Sequence, residues 1–267
     1  MEQIKMYWWK SKKLQNFGDI LNPVLIKGLT GKEVVWTDKS PKLMGCGTVL
    51  DHMGSGDQVW GSGVANQDRN HAGKNVKVFA VRGPLTRDVL LQSNIDCPPV
   101  YGDPAILLPR IFPQPKQKKD YVIGVVPHYI DYADVLHRRC GQNIHVINIL
   151  SGIENVIKEM VAFQYVFSSC LHGIIAAEAY GIPACWVRFS DKIKSPVFKF
   201  KDYYKGTGRE VDFVDMRKAE HVFETDKCLP SPDLSKMQDT LLEGLNGVIK
   251  DEESGPHLFT PSLPKPA

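Results

Sequence analysis

The chain has 267 residues, is 43% hydrophobic and 24% charged, and carries a net charge of +3. This is the balance of a globule with room for one large or two small domains, and it argues against a disordered chain or a strongly basic nucleic-acid binder. No apolar run reaches the roughly 18 residues that span a bilayer. The start, MEQIKMYWWKSKK, lacks the apolar core of a secretory leader. The six cysteines are scattered with no CxxC pair, which suggests a reduced, cytoplasmic protein without a zinc site or a disulfide framework.

Residues 4–9 read as a strand. They lead to Asn16-Phe17-Gly18-Asp19-Ile20-Leu21-Asn22-Pro23, a turn in which Asp19 or Asn22 caps a helix and Pro23 takes its first position. The same two polar side chains are candidate substrate contacts. Residues 33–36 suggest a second strand, and 43–50 and 59–64 are apolar runs entering glycine-rich turns. Gly45 and Gly47 have the first spacing of a dinucleotide fingerprint, but Leu50 stands where its third small residue belongs, and no P-loop pattern occurs. An NAD(P) enzyme is therefore disfavoured.

The strand predicted over 76–81 runs into Arg82-Gly83-Pro84, with Pro84 opening a helix to about Gln92. Arg82 thus stands at a strand's carboxyl end beside a helix amino terminus, and its planar fork suits a carboxylate or phosphate. Tyr101-Gly102-Asp103-Pro104 repeats this grammar, with Asp103 read as a structural cap. The Pro- and Lys-rich stretch 109–119 reads as a linker. Beyond it the pattern restarts: a strand over 121–126 with His128 in its following turn, a helix over 131–140, a strand over 144–149 and a helix over 153–162.

Residues 163–189, FQYVFSSCLHGIIAAEAYGIPACWVRF, form the clearest unit, strand–turn–helix–strand, with Gly181 and Pro183 ending the helix. Its polar residues sit only at the turn: Ser168, Ser169 and His172. Open α/β sheets bind ligands there, and free backbone N–H groups there favour anions. His172 is a candidate acid, base or anion contact; the plainer reading makes it a capping histidine, with both serines as N-caps. Residues 198–209, mixing cations and aromatics without clear periodicity, read as a loop that closes over the site or is simply solvated. A helix is expected over 235–249, packing across the two halves, and 251–267 is Pro-rich and read as disordered.

Strands alternating with helices in both halves predict an α/β protein with a parallel sheet in each, and polar residues at strand carboxyl ends (Asp19, Arg82, His128, His172) predict two walls of one cleft. The segments NFGDILN, VRGPLTRDVL, YGDPAILLP, IGVVPHYID and FSSCLHGIIAAEAYGIP, from about residue 16 to 190, resemble the polysaccharide pyruvyl transferase family. The resemblance implies two Rossmann-like domains facing a cleft, in the glycosyltransferase B manner. The corresponding division is 1–112, a linker 113–119, 120–230, a helix 231–250 and a tail. It also implies transfer of pyruvate from phosphoenolpyruvate to a sugar as a cyclic ketal, on a cell-surface polysaccharide or its lipid-linked precursor.

On that resemblance Arg82 binds the donor and His172 is the main catalytic residue, with His128 second. Ser168, Ser169, Gly173 and the amino end of the following helix complete the donor side, while Asp19 and Asn22 face the acceptor. Some members carry an arginine immediately before the Leu of the LHG motif; here that residue is Cys170. Arg188, Arg209 or a lysine of the 198–205 stretch are the candidate replacements. No metal or cofactor is expected, nor a nucleic-acid partner. The aromatic and basic start (Tyr7, Trp8, Trp9, Lys10, Lys12, Lys13) could touch the inner face of a membrane, although Trp8 and Trp9 also suit packing beside the first strand. Two other readings remain open at this level. One is a nucleotide-sugar-dependent glycosyltransferase or epimerase of the same fold; the other is a non-catalytic glycan-binding protein.

Overall fold

The computed structural model describes residues 3–10, 16–68, 71–114, 121–137, 144–193, 196–218, 222–254 and 259–260. The first half contains β1 (Gln3–Tyr7), α1 (Phe17–Thr30), β2 (Glu33–Trp36), β3 (Leu43–Met44), β4 (Gln58–Trp60), β5 (Lys77–Ala80), α2 (Pro84–Gln92) and α3 (Leu108–Ile111). The second contains β6 (Tyr121–Val126), α4 (Tyr132–His137), β7 (Ile144–Val146), α5 (Ile153–Met160), β8 (Phe163–Ser168), α6 (Leu171–Ala179), β9 (Ala184–Arg188), α7 (Pro196–Gly206) and β10 (Val214–Asp215). α8 (Ser235–Ser254) and β11 (Phe259–Thr260) end the described chain.

The protein is α/β with two sheets. The first has the order β11-β1-β3-β4-β5, with β2 also on β1; the second has the order β10-β9-β8-β6-β7. Every pairing within them is parallel except β11 on β1. Parallel strands buried on both faces need near-continuous apolar sequence, and β6 (YVIGVV) and β9 (ACWVR) supply it. One apolar core runs from Leu21 on α1 through Ile106 to Ile174 on α6, so the halves share an interior.

Three expectations are corrected. α1 begins at Phe17, so Pro23 lies inside the helix and Asn16 is the N-cap residue. A proline there leaves the carbonyl four residues earlier without its amide partner. That carbonyl belongs to Asp19, and the Asn22 side-chain amide donates to it at 3.1 Å. The stretch 198–209, expected to be a loop, is mostly helix α7. The expected disordered tail holds the last turn of α8 and the two residues of β11, which pair with Gln3 and Ile4; 255–258 and 261–267 lie outside the described residues. The 113–119 linker also falls largely outside them.

α8 returns to cover the first sheet instead of bridging both halves evenly. The Trp60 indole donates to the Leu241 carbonyl at 2.8 Å and the Gln238 amide to Ile106 O at 2.8 Å. Among the described residues no helix is long and apolar enough to cross a membrane.

α7 carries two buried faces. Phe200 stacks on Trp186 with centroids 4.4 Å apart, and Tyr203 and Tyr204 are buried with it. The opposite face meets the Arg82-Gly83-Pro84 turn. Arg82 and Asp202 are both fully buried, with Arg82 Nε donating to Asp202 Oδ2 at 3.0 Å. Asp202 also accepts from the Thr86 amide at 2.9 Å and its hydroxyl at 2.6 Å. Gly83 allows this approach, since a Cβ there would lie 1.9 Å from Asp202 O. Removing one member of a buried pair strands the other charge, at roughly 3–5 kcal/mol. Asp202→Ala should lower the unfolding free energy by about that amount in urea titrations, whereas Asp212→Ala, which removes an exposed partner of Lys201, should change it by less than ~1 kcal/mol.

Candidate active site

A cavity of about 180 Å³ opens between the carboxyl ends of the two sheets. The first half lines it with Asn16 and Asp19 at the start of α1 and with Thr48 after β3; the second with His128 after β6, Cys170 to His172 at the start of α6, and Lys199 on α7. Trp9, 54% exposed, and His52 also line it.

His172 sits where the two halves touch. Its Nε2 faces Asp103 Oδ2 at 3.6 Å, just beyond hydrogen-bond length, and neither atom has another partner among the described residues. The other carboxylate oxygen of Asp103 caps the following turn by accepting from the Ala105 amide at 3.0 Å. Burial pushes the Asp103 carboxyl up, but the His172 contact, the Ala105 amide and the charge of Arg82 together hold it below its ordinary value. It is therefore an ionised, fully buried carboxylate aimed at an imidazole. Such a partner fixes a histidine's orientation. On its other side the ring lies against Gly18: a Cβ there would come within 2.0 Å of His172 Nδ1. Residues from two motifs (NFGD and GDP) thus hold the ring of a third (LHG).

Asp19 is nearly buried, and Asn16 Nδ2 donates to its Oδ2 at 2.9 Å. Burial raises its pKa, and the Asn16 bond and the charges of His172 and Lys199 only partly offset this. A carboxyl of raised pKa beside an imidazole is suited to proton exchange. His128 behaves differently. Burial, aided by the charge of Lys199, pushes its pKa down to about 4, and the Ile130 amide donates to its Nδ1 at 3.4 Å. It is neutral near pH 7, with Nδ1 accepting and Nε2 carrying the proton, so it is a hydrogen-bond donor there.

The remaining predicted site residues are placed as follows. Asn22 is buried beneath the cavity, its amide shared between Asp19 O and Cys46 O. The Ser168 hydroxyl shares its one proton between Val126 O and Cys170 O, and Ser169 takes the His128 amide and donates to Asp131. Both serines brace the turn from inside. Gly173 is a packing glycine, since a Cβ would lie 2.4 Å from Ser168 Oγ.

The three arginines are already engaged. Arg82 is fully buried, bonded to Asp202, Thr48 Oγ1 (2.8 Å) and Val64 O (3.0 Å), and reaches the cavity only through Thr48. Arg209 forks onto Glu178 at 2.9 and 2.7 Å, and Arg188 pairs with Asp191 at 2.6 Å. The cavity's own cation is Lys199, which sequence reading placed only within a loop. Asp103 was read as a cap, and its second role shows only once α6 is packed on it. The N-terminal tryptophans separate: Trp8 is buried beside β1 and Trp9 is at the cavity mouth, while Lys12 and Lys13 lie outside the described residues. Among the described residues no group of three or more His, Cys, Asp or Glu side chains is placed to hold a metal ion.

A family model for polysaccharide pyruvyl transferases matches residues 38–191, more than half of the chain. The chain belongs to that family. It is 29% identical over 213 residues to an uncharacterized protein of Acanthamoeba polyphaga mimivirus, covering 74% of this chain and 72% of that one. It is 28% identical over 217 residues to the succinoglycan biosynthesis protein ExoV of Rhizobium meliloti (strain 1021), covering 77% of this chain and 65% of that protein. No solved structure matches. The match places Arg82, Asp103, His128 and His172 of this pyruvyl transferase within the family region; Gly18, Asp19 and Lys199 join them from outside it.

Two tests follow from this geometry. Gly18→Ala should lower turnover roughly 100-fold by displacing the His172 ring. Its melting temperature should stay close to that of the parent, because alanine's helix preference works against the clash. For His128, the unfolded chain takes up a proton near pH 6.5 and the folded one only near 4. Stability from its neutral burial is full above 6.5 and lost as pH falls toward 4. His128→Gln should therefore show a shallower loss of melting temperature across pH 6.5 to 4.

Proposed function

We propose that this protein transfers pyruvate from phosphoenolpyruvate to two hydroxyls of a saccharide as a cyclic ketal, in the cavity between its halves. The observation that carries this reading is the assembly of Asp19, Asp103 and His172 around a small cavity that also holds an ammonium group. About 180 Å³ suits a three-carbon phosphate ester better than a nucleotide sugar, whose pocket would be several times larger. On this reading the two sheets are the cores of Rossmann-like domains, 1–112 and 120–230, arranged in the glycosyltransferase B manner. The mention of succinoglycan biosynthesis in a relative's name supports an exopolysaccharide or its lipid-linked precursor as the acceptor. The five described cysteines are free thiols, which fits the cytoplasm.

The reaction joins the central carbon of the donor to two hydroxyl oxygens and breaks its bond to the phosphate oxygen. Of the two hydroxyl protons, one replaces the proton delivered to the methylene, which becomes methyl, and the other leaves with phosphate. His172, held by ionised Asp103, is the proton donor to the methylene. Asp19, with its raised pKa, accepts a proton from the attacking hydroxyl. His128 donates a hydrogen bond from its neutral ring. The amino end of α6 and the buried charge of Arg82 behind Thr48 favour the donor's oxyanions. The acceptor enters past Trp9 and His52, which offer ring faces at the mouth.

The reading is tested by thermal stabilisation and phosphate release. Phosphoenolpyruvate at 100 times its dissociation constant should stabilise the fold by roughly 2.7 kcal/mol, and nucleotide sugars should not. His172→Ala should retain the phosphoenolpyruvate shift and lose acceptor-dependent phosphate release by about 10²- to 10⁴-fold. A nucleotide sugar stabilising in its place would move the activity to glycosyl transfer.

A further inference from the structure

We propose that Lys199 is the residue that binds an oxyanion of the donor, taking the place left by Cys170; this rests on the pyruvyl-transfer reading. Cys170 brings no positive charge to the turn before His172. It is buried, and burial raises its thiol pKa, so it remains neutral. The replacement comes from a different element. On α7, Lys199, Asp202 and Gly206 are three and four residues apart and so share one face. Asp202 holds Arg82 and Gly206 packs on the Arg82 carbonyl, so the same face directs Lys199 into the cavity beside Cys170 and His172.

The other cations of this region are neutralised. Lys201 pairs with Asp212 at 3.0 Å, Lys205 with Glu210 at 2.9 Å, and Arg209, Arg188 and Arg82 each have a carboxylate. Among the described residues the Lys199 ammonium has neither a hydrogen bond nor an ion pair; the ring of Phe200 lies 5.9 Å away, and Asp19 acts on it only through its charge. Burial pulls the Lys199 pKa down and the charge of Asp19 across the cavity offsets this only in part, so its ammonium is costly until an anion arrives. A phosphate or carboxylate there gains a charge-assisted bond with little reordering, because α7 is fixed from both sides. Arg82 and Asp202 are then positioning residues: they seat α7, and α7 presents the lysine.

The test measures phosphoenolpyruvate affinity by thermal shift, together with its KM and that of the acceptor, in Lys199→Met, Lys199→Arg and the control Lys201→Met. Lys199→Met should weaken phosphoenolpyruvate binding roughly ten-fold or more and raise its KM, with the acceptor KM unchanged. Lys199→Arg should recover most of the affinity, and Lys201→Met should match the parent. If the methionine variant does not fold, Lys199→Gln, which keeps a polar end without charge, carries the same expectation. Parent-like affinity in a folded, uncharged Lys199 variant would overturn the inference while leaving pyruvyl transfer standing. Absence of a phosphoenolpyruvate shift in the parent protein would overturn both.

Discussion

The buried pair between Arg82 and Asp202 is the constraint on which the rest of the structure depends. It joins the carboxyl end of β5 to α7, and so the first half to the second, in a place without solvent. A pair of this kind gives little net stability but is severe about geometry, since neither charge tolerates losing the other. Gly83 and Gly206 bring the backbones together tightly enough for the pair to form. Once α7 is fixed, the cleft between the two sheets has a floor, and the lysine on that helix has one direction to face. Arg82 therefore shapes the site from behind, through Thr48 and through α7.

The same economy governs His172. Its ring is defined by a carboxylate on one side and a bare α-carbon on the other, each from a different part of the chain. Asp103 serves two ends with its two oxygens, capping a turn with one and facing the imidazole with the other. The neighbouring titratable groups are pushed in different directions: Asp103 below its ordinary range, Asp19 above it, and His128 down to about 4. Separated proton affinities within one cavity are what acid–base chemistry at a single pH requires.

Much of this was legible from local pattern. The unit from β8 to β9 was readable because its strand, turn and helix signals all agree, and because glycine and proline end α6 where the spacing says they should. The helix α7 was not, because two of its sides are buried against different halves and the solvent side is reduced to Lys201 and Lys205, too short a polar stripe to mark the period. Its signal was present in Phe200, Tyr203 and Tyr204, spaced three and four residues apart after Pro196. Asn22 looked like a substrate contact because a buried amide at a strand-to-helix turn has that appearance. Its partner is a carbonyl that Pro23 cannot serve, a fact that depends on α1 starting at Phe17. Asp103 and Lys199 acquire their places from contacts between halves, which no local spacing encodes.

The central claim is that the cavity between the two halves receives a small anionic donor on Lys199 and His172 while Arg82 stays paired behind them. Determining a crystal structure with phosphoenolpyruvate bound tests it most directly. The account predicts an oxyanion of the donor on the Lys199 ammonium, the methylene beside His172, and the Arg82–Asp202 pair intact. Donor bound on Arg188 or Arg209, or on an Arg82 released from Asp202 with Lys199 turned away, would contradict it.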